Sequence, residues 1–233
     1  LLLGRYPADM LADTAALTDW SFVADGDLAT ISEPIDMLGI NYYQPFRVRK
    51  LPGPIITAGT SKRSPSFADL SAQSGDNDLD RWNWPDQLPS EYPGCDDIEI
   101  MSPRAPVTAG GWGIDPLGLV ELLTRIHRDY PAVPLMVTEN GAAFDDVPGP
   151  DGRVADRDRI GYLAGHLRAG HEAIALGVDL RGYFVWSLMD NFEWAEGYAR
   201  RFGIVHVDFR TGERSLKDSA LWYRNVIARN GLD

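Results

Sequence analysis

The apolar residues of this chain gather into three short, nearly continuous runs, each followed by a stretch of helical period. The runs are Ile35–Tyr43 (IDMLGINYY), Pro134–Glu139 (PLMVTE) and Leu180–Ser187 (LRGYFVWS). Runs of that length with little alternation suit parallel strands covered on both faces. Asp115 followed by Pro116 marks a helix start; Leu119, Leu122, Leu123 and Ile126 then share one face, and Pro131 closes the segment. A second helix is predicted from about Asp158 to Leu176, with Ile160, Leu163, Leu167 and Ile174 at helical spacing and Gly177 as its C-terminal stop. A third runs from about Leu216 to Ala228, and a short opening helix follows Pro7. Phe202–Phe209 (FGIVHVDF), Thr211-Gly212 and Glu213 read as a small hairpin. The stretch from Arg47 to Gly113 is rich in Pro, Gly, Ser and Asp and lacks periodicity. It reads as an extended loop over the C-terminal rim of the sheet, and its Trp82, Trp84 and Tyr92 argue against plain disorder.

Strand–helix alternation implies an α/β architecture with a parallel sheet. Three strands do not close a barrel, which takes about eight, and left open they expose unpaired edges. The pattern therefore predicts a piece of a larger fold. The opening Leu1-Leu2-Leu3-Gly4 is too short for a signal sequence and reads as a cut. Acidic residues outnumber basic ones 34 to 22, which disfavours nucleic acid and anionic membrane surfaces as partners. A single cysteine, Cys95, allows no internal disulfide and fits a cytoplasmic location.

In α/β folds, functional groups gather at the C-terminal ends of strands. Those ends carry Asn41-Tyr42-Tyr43, Thr138-Glu139-Asn140-Gly141 and Trp186 through Trp194. A carboxylate directly after an apolar strand, with Asn-Gly to turn the chain, can face a cleft. Tyr43 could donate to it and keep it ionised. Trp186 and Trp194 offer stacking surfaces, and Glu193 could accept from two adjacent hydroxyls of a polyol. On position alone the alternatives stay open. Glu139 could be a surface carboxylate at a turn, Tyr43 and Asn41 structural, Trp186 and Trp112 packing, and Glu193 merely solvated.

Metal and cofactor chemistry finds no support. His166 and His171 are five apart, so they share no helix face at ligand spacing, and Ala175 stands where a second zinc-binding His would be. The Asp145-Asp146…Asp151 cluster is interrupted by Pro148, Gly149 and Pro150 and reads as a turn, not a calcium loop. Cys95, beside Asp96 and Asp97, is expected to be unreactive. No phosphate-binding glycine loop is found.

The segments LGINYY, LMVTENG and GYFVWSLMDNFEWAEGYARRFGIVHVDF, in this order, resemble the C-terminal half of the family-1 glycoside hydrolases, the bacterial-type β-glucosidases among them. The resemblance extends over essentially the whole chain. It implies the C-terminal part of a (β/α)8 TIM barrel, incomplete on its own, in which residues 1–233 supply about the last three strand–helix units of a single domain. It implies a retaining β-glycosidase of carbohydrate metabolism, cellulose degradation included, acting on terminal non-reducing β-D-glycosyl residues without a cofactor or metal. Glu139 is then the catalytic nucleophile and Tyr43 its hydrogen-bond donor. Asn41 lines the same subsite, and Trp186 is its stacking floor. Glu193 and Trp194 bind the outer hydroxyls of the glycone with Phe202 nearby, and Trp112 lies on the aglycone side.

One departure is large. The family's proton-donating Glu, in a TFNEP-like motif, and several glycone contacts belong to the earlier half and do not occur in this sequence. Retaining hydrolysis needs two carboxyl groups about 5–5.5 Å apart. The chain is therefore expected to need the N-terminal half of the barrel as partner and to be inactive alone. The alternatives are a non-catalytic sugar-binding or interaction fragment, and a 6-phospho-β-glycosidase. Glu193 disfavours the latter by repelling phosphate.

Overall fold

The structure is a computed structural model that describes residues 2–52, 88–89, 97–104, 106–131 and 133–232. In chain order its elements are α1 (Ala8–Asp13), α2 (Asp27–Ile31), β1 (Leu38–Asn41), β2 (Arg47–Lys50), β3 (Leu88–Pro89), β4 (Ile98–Met101), α3 (Pro116–Asp129), β5 (Leu135–Asn140), α4 (Arg157–Ala175), β6 (Leu180–Val185), β7 (Val205–Val207), β8 (Arg214–Leu216) and α5 (Asp218–Arg229). They fall into two compact units. No helix among the described residues is long and apolar enough to cross a membrane.

The smaller unit holds α1, α2 and the antiparallel sheet β2-β4-β3. The sheet corrects the expectation of a plain loop from Arg47 onward. Arg49 reaches across it to the buried Glu99, Nη2 to Oε2 at 2.5 Å. Trp82, Trp84, Tyr92 and Cys95 lie outside the described residues.

The larger unit is built on a parallel sheet in the order β1-β5-β6. Ile40, Leu135 and Val137 face a helical layer to which α3 contributes Leu119, Val120 and Leu123, and α4 contributes Ala169 and Ala173. Asp115 caps α3, accepting from the Gly118 amide at 3.2 Å, with Pro116 in the first turn. Gly177 follows α4 with φ 98°, a left-handed conformation that glycine reaches without strain. The predicted hairpin is present as β7 and β8.

Strict alternation would send Glu139 to the helix-covered face after Leu135 and Val137. The pairing of β1 with β5 slips between Ile40 and Asn41, so that Ile40 opposes Val137 but Asn41 opposes Glu139. The extra residue breaks the alternation. Glu139 is left partly exposed, and Asn140 is fully buried.

Beyond the sheet lies a buried ionic cluster. Lys217 Nζ donates to Asp146 at 2.5 Å and to Asp190 at 2.8 Å. Arg159 donates to Asp146 at 2.9 and 2.6 Å, to Asp156 at 2.5 Å and to the Arg201 carbonyl oxygen at 2.7 Å. Arg201 closes the cluster on Asp190 at 2.6 Å. Asp156, just ahead of α4, also accepts from the Ser219 amide (2.8 Å) and hydroxyl (2.5 Å), capping the first turn of α5 from a distance. The expected turn is found at Gly149–Arg153, but Asp146 beside it is not a solvated turn residue.

Lys217→Ala leaves two buried carboxylates without their shared cation and is expected to cost roughly 3–5 kcal/mol or to prevent folding. Arg181→Ala, which removes an exposed pair with Asp179, is expected to leave the urea midpoint close to that of the unsubstituted chain. Urea unfolding of both variants checks the contrast; equal midpoints would contradict it.

Candidate active site

The C-terminal rim of β1-β5-β6 brings most of the expected residues together. Tyr43 donates its hydroxyl to Glu139 Oε2 at 2.6 Å. Its ring makes edge contacts with Trp112 (centroids 5.5 Å apart) and Phe202 (6.4 Å), and Trp112 and Phe202 meet at 5.7 Å. Burial, the bond to Glu139 and the charges of Glu139 and Glu193 all push the Tyr43 phenol up, so it stays protonated and donates.

Trp186 forms the other side. Its backbone amide donates to the Asn140 carbonyl oxygen at 2.9 Å, and its indole Nε1 donates to Glu193 Oε2 at 3.3 Å. Burial raises the Glu193 carboxyl above its ordinary value; the Trp186 bond opposes this, and the charges of Glu139 and Glu196 add to it. The Trp186–Ser187 peptide bond is cis. Phe202 reaches the site because its carbonyl oxygen accepts from the Ser187 amide, while the Ile204 amide donates back to Ser187. Asp190 pins this pairing by accepting from the Gly203 amide at 3.0 Å.

Two expected residues are exposed, although Asn41 stands opposite Glu139 in the β1–β5 pairing and Trp194 follows Glu193 in the chain. Asn41 is exposed and accepts from the Thr138 hydroxyl at 2.7 Å. Trp194, at the head of a short 3-10 turn, is 84% exposed with φ 41°.

Other placements were not expected. Gln44 Oε1 accepts from the Gly113 amide at 2.9 Å, and Thr108 Oγ1 from the Trp112 amide at 3.2 Å, which together seat Trp112. Gly141 does not turn the chain in a left-handed conformation; instead, a Cβ there would overlap the Trp186 carbonyl oxygen. Its neighbour Asn140 ends the strand with its amide buried. Among the described residues no group of three or more His, Cys, Asp or Glu is placed to hold a metal ion. His166 is buried in the helix layer, its ring stacked on Tyr162 at 4.0 Å, and burial pulls it down to about 4.

The glycosyl hydrolase family 1 model matches residues 1–232. The chain belongs to glycosyl hydrolase family 1. It is 43% identical over 232 residues to a bifunctional β-D-glucosidase/β-D-fucosidase of Bifidobacterium breve, covering 98% of this chain and 45% of that protein. Among solved structures it resembles a psychrophilic β-glucosidase of Micrococcus antarcticus, with TM-score 0.78 and 38% identity over 100% of this chain and 45% of that one. The family 1 β-glucosidase of Thermotoga maritima gives TM-score 0.77 and 37% identity over 100% and 43%. The chain thus spans under half the length of these family 1 relatives, and its parallel sheet and helices are part of their α/β barrel.

The Trp186 indole lowers the Glu193 carboxyl in opposition to burial, so Trp186→Phe is expected to raise that carboxyl further. A carbon-13 titration of the Glu193 side chain measures it; a downward move would show that the indole does not stabilise the charge.

Proposed function

We propose that this chain supplies the nucleophile of a retaining β-glycosidase of the β-glucosidase type. The observation that carries the proposal is the hydrogen bond from Tyr43 to Glu139, at the end of β5, in a chain of family 1. A carboxylate at a strand terminus, with one oxygen occupied by a phenol, has its other oxygen available to attack.

In this reading Glu139 attacks the anomeric carbon of a terminal non-reducing β-D-glycosyl residue. The glycosidic C–O bond breaks, and the departing oxygen takes a proton from a second carboxyl group. Water then attacks the same carbon, gives its proton to that second group and restores the free Glu139 carboxylate. Trp186 provides the stacking floor. Glu193, oriented by Trp186, accepts from outer hydroxyls with Trp194 and Phe202 beside it. Asn41 lines the same subsite, and Trp112 borders the aglycone. The charge on Glu193 suits an uncharged glycone better than a 6-phosphorylated one.

The second carboxyl group comes from the N-terminal portion of the same barrel domain, to which residues 1–233 contribute one part. Two features support this. Among the described residues β1 and β6 each pair on one side only. Clefts of about 730 and 810 Å³ flank them, the first lined by Tyr42, Trp112 and Leu122, the second by Leu180, Tyr183 and Ile227. Open strand edges of this kind call for further strands. Without that portion the chain is inactive. A cytoplasmic location and a role in carbohydrate metabolism, cellulose degradation included, belong to the same proposal.

The test is covalent. The chain, assembled with a barrel portion carrying an Asn-Glu-Pro motif, is treated with a 2-deoxy-2-fluoro-β-glucosyl fluoride and mapped by peptide mass spectrometry. The expected adduct is on Glu139 and is lost in Glu139→Gln. An adduct on another carboxylate rejects the assignment, and turnover by the purified chain alone at the assembled rate rejects the dependence on a partner.

A further inference from the structure

Asn140 follows Glu139 directly and is 0% exposed. Its side chain offers two donors and a carbonyl acceptor, and they reach partners on three other segments. Nδ2 donates to the Tyr42 carbonyl oxygen at 2.7 Å and to the Tyr162 hydroxyl at 3.0 Å. Oδ1 accepts from the Tyr183 hydroxyl. The Tyr162 hydroxyl in turn donates to the Tyr43 carbonyl oxygen at 3.3 Å. Tyr42 and Tyr43 follow β1, Tyr183 lies on β6 and Tyr162 on α4. The backbone adds a bond from the Tyr42 amide to the Glu139 carbonyl oxygen and one from the Trp186 amide to the Asn140 carbonyl oxygen, both 2.9 Å.

A buried amide is unfavourable unless its hydrogen bonds are made, so an apolar residue would fill this position at less risk. Here the bonds are made, and they hold the backbone beside the two residues whose hydroxyl and carboxylate meet: Tyr42 precedes Tyr43, Tyr162 holds the Tyr43 carbonyl oxygen, and Asn140 itself follows Glu139. Burial raises the phenols of Tyr162 and Tyr183, which keeps both neutral and able to donate.

We propose that Asn140 is a positioning residue for the Tyr43–Glu139 pair: its amide fastens the ends of β1, β5 and β6 and the flank of α4 so that Tyr43 and Glu139 leave the sheet at a fixed separation. The kinetic part rests on Glu139 being the nucleophile; the geometric part does not. Asn140→Ala removes the fastening, and Tyr162→Phe and Tyr183→Phe each remove one hydroxyl from it.

The variants are compared with the unsubstituted protein, each assembled with the barrel portion that carries the proton donor, using a nitrophenyl β-glycoside. Asn140→Ala is expected to lower kcat about 100-fold while KM moves by less than about threefold. Each tyrosine variant is expected to lower kcat about fivefold with the same unchanged KM. In the crystal structure of Asn140→Ala the Tyr43–Glu139 contact is expected to lengthen beyond hydrogen-bonding distance. A folded Asn140→Ala that keeps kcat within about twofold, or that keeps the contact at 2.6 Å, overturns the proposal. If Asn140→Ala does not fold, the tyrosine variants decide by the same criteria, and two variants with unchanged kcat and contact overturn it. Should the covalent adduct map away from Glu139, the proposed chemistry falls while the contact distance still decides the role of Asn140.

Discussion

A single ammonium group shared by two carboxylates, all three out of water, organises the larger unit. Lys217 lies between Asp146 and Asp190, and Arg159 and Arg201 extend the pairing to Asp156 and back to Asp190. None of these charges is tolerable alone in such surroundings. The segment after β5, the segment after β6, the start of α4 and the start of α5 must therefore arrive together. Trp186, Glu193 and Phe202 lie on or beside the chain between these anchors. Their placement at the rim follows from charge pairing several residues away, more than from any preference of the aromatic residues themselves.

The parallel sheet and its helices were legible because their signals are local. Apolar runs mark β5 and β6, and Asp115-Pro116 caps α3 where expected. The ionic cluster was not legible. Asp146 resembles a turn residue in sequence, and its cation Lys217 is 71 positions away. The β2–β4 pairing is hidden for a related reason: Arg47–Lys50 is exposed at every position, so no apolar pattern announces a strand, and its partner lies across a long separation. At the site, motif resemblance singled out Glu139 and Tyr43, whereas residue type alone left both ambiguous. Asn140-Gly141 carries the usual signature of a turn, which conceals both of its roles. The structure uses the amide for its hydrogen bonds and the glycine for its lack of a side chain.

Two adjacent tyrosines show how the slip in register divides the work of a strand end. Tyr42 is buried and donates to the Asp115 carbonyl oxygen at 2.7 Å, tying β1 to the start of α3. Tyr43 points the other way and donates to Glu139. Burial raises both phenols, so each acts as a neutral donor. One anchors scaffold and the next meets the open rim.

The contact at Gly141 has a mechanical consequence. Because the carbonyl oxygen of Trp186 occupies the space that a side chain at position 141 would need, no side chain separates the backbone of the indole platform from the strand that bears the carboxylate. The Trp186 amide bond to the Asn140 carbonyl oxygen ties the two segments at the same point, so a shift of one is felt directly by the other. In the proposed reading, the two surfaces would meet a glycone as one body, and a fit to the ring's face would at once be a fit to its reacting edge.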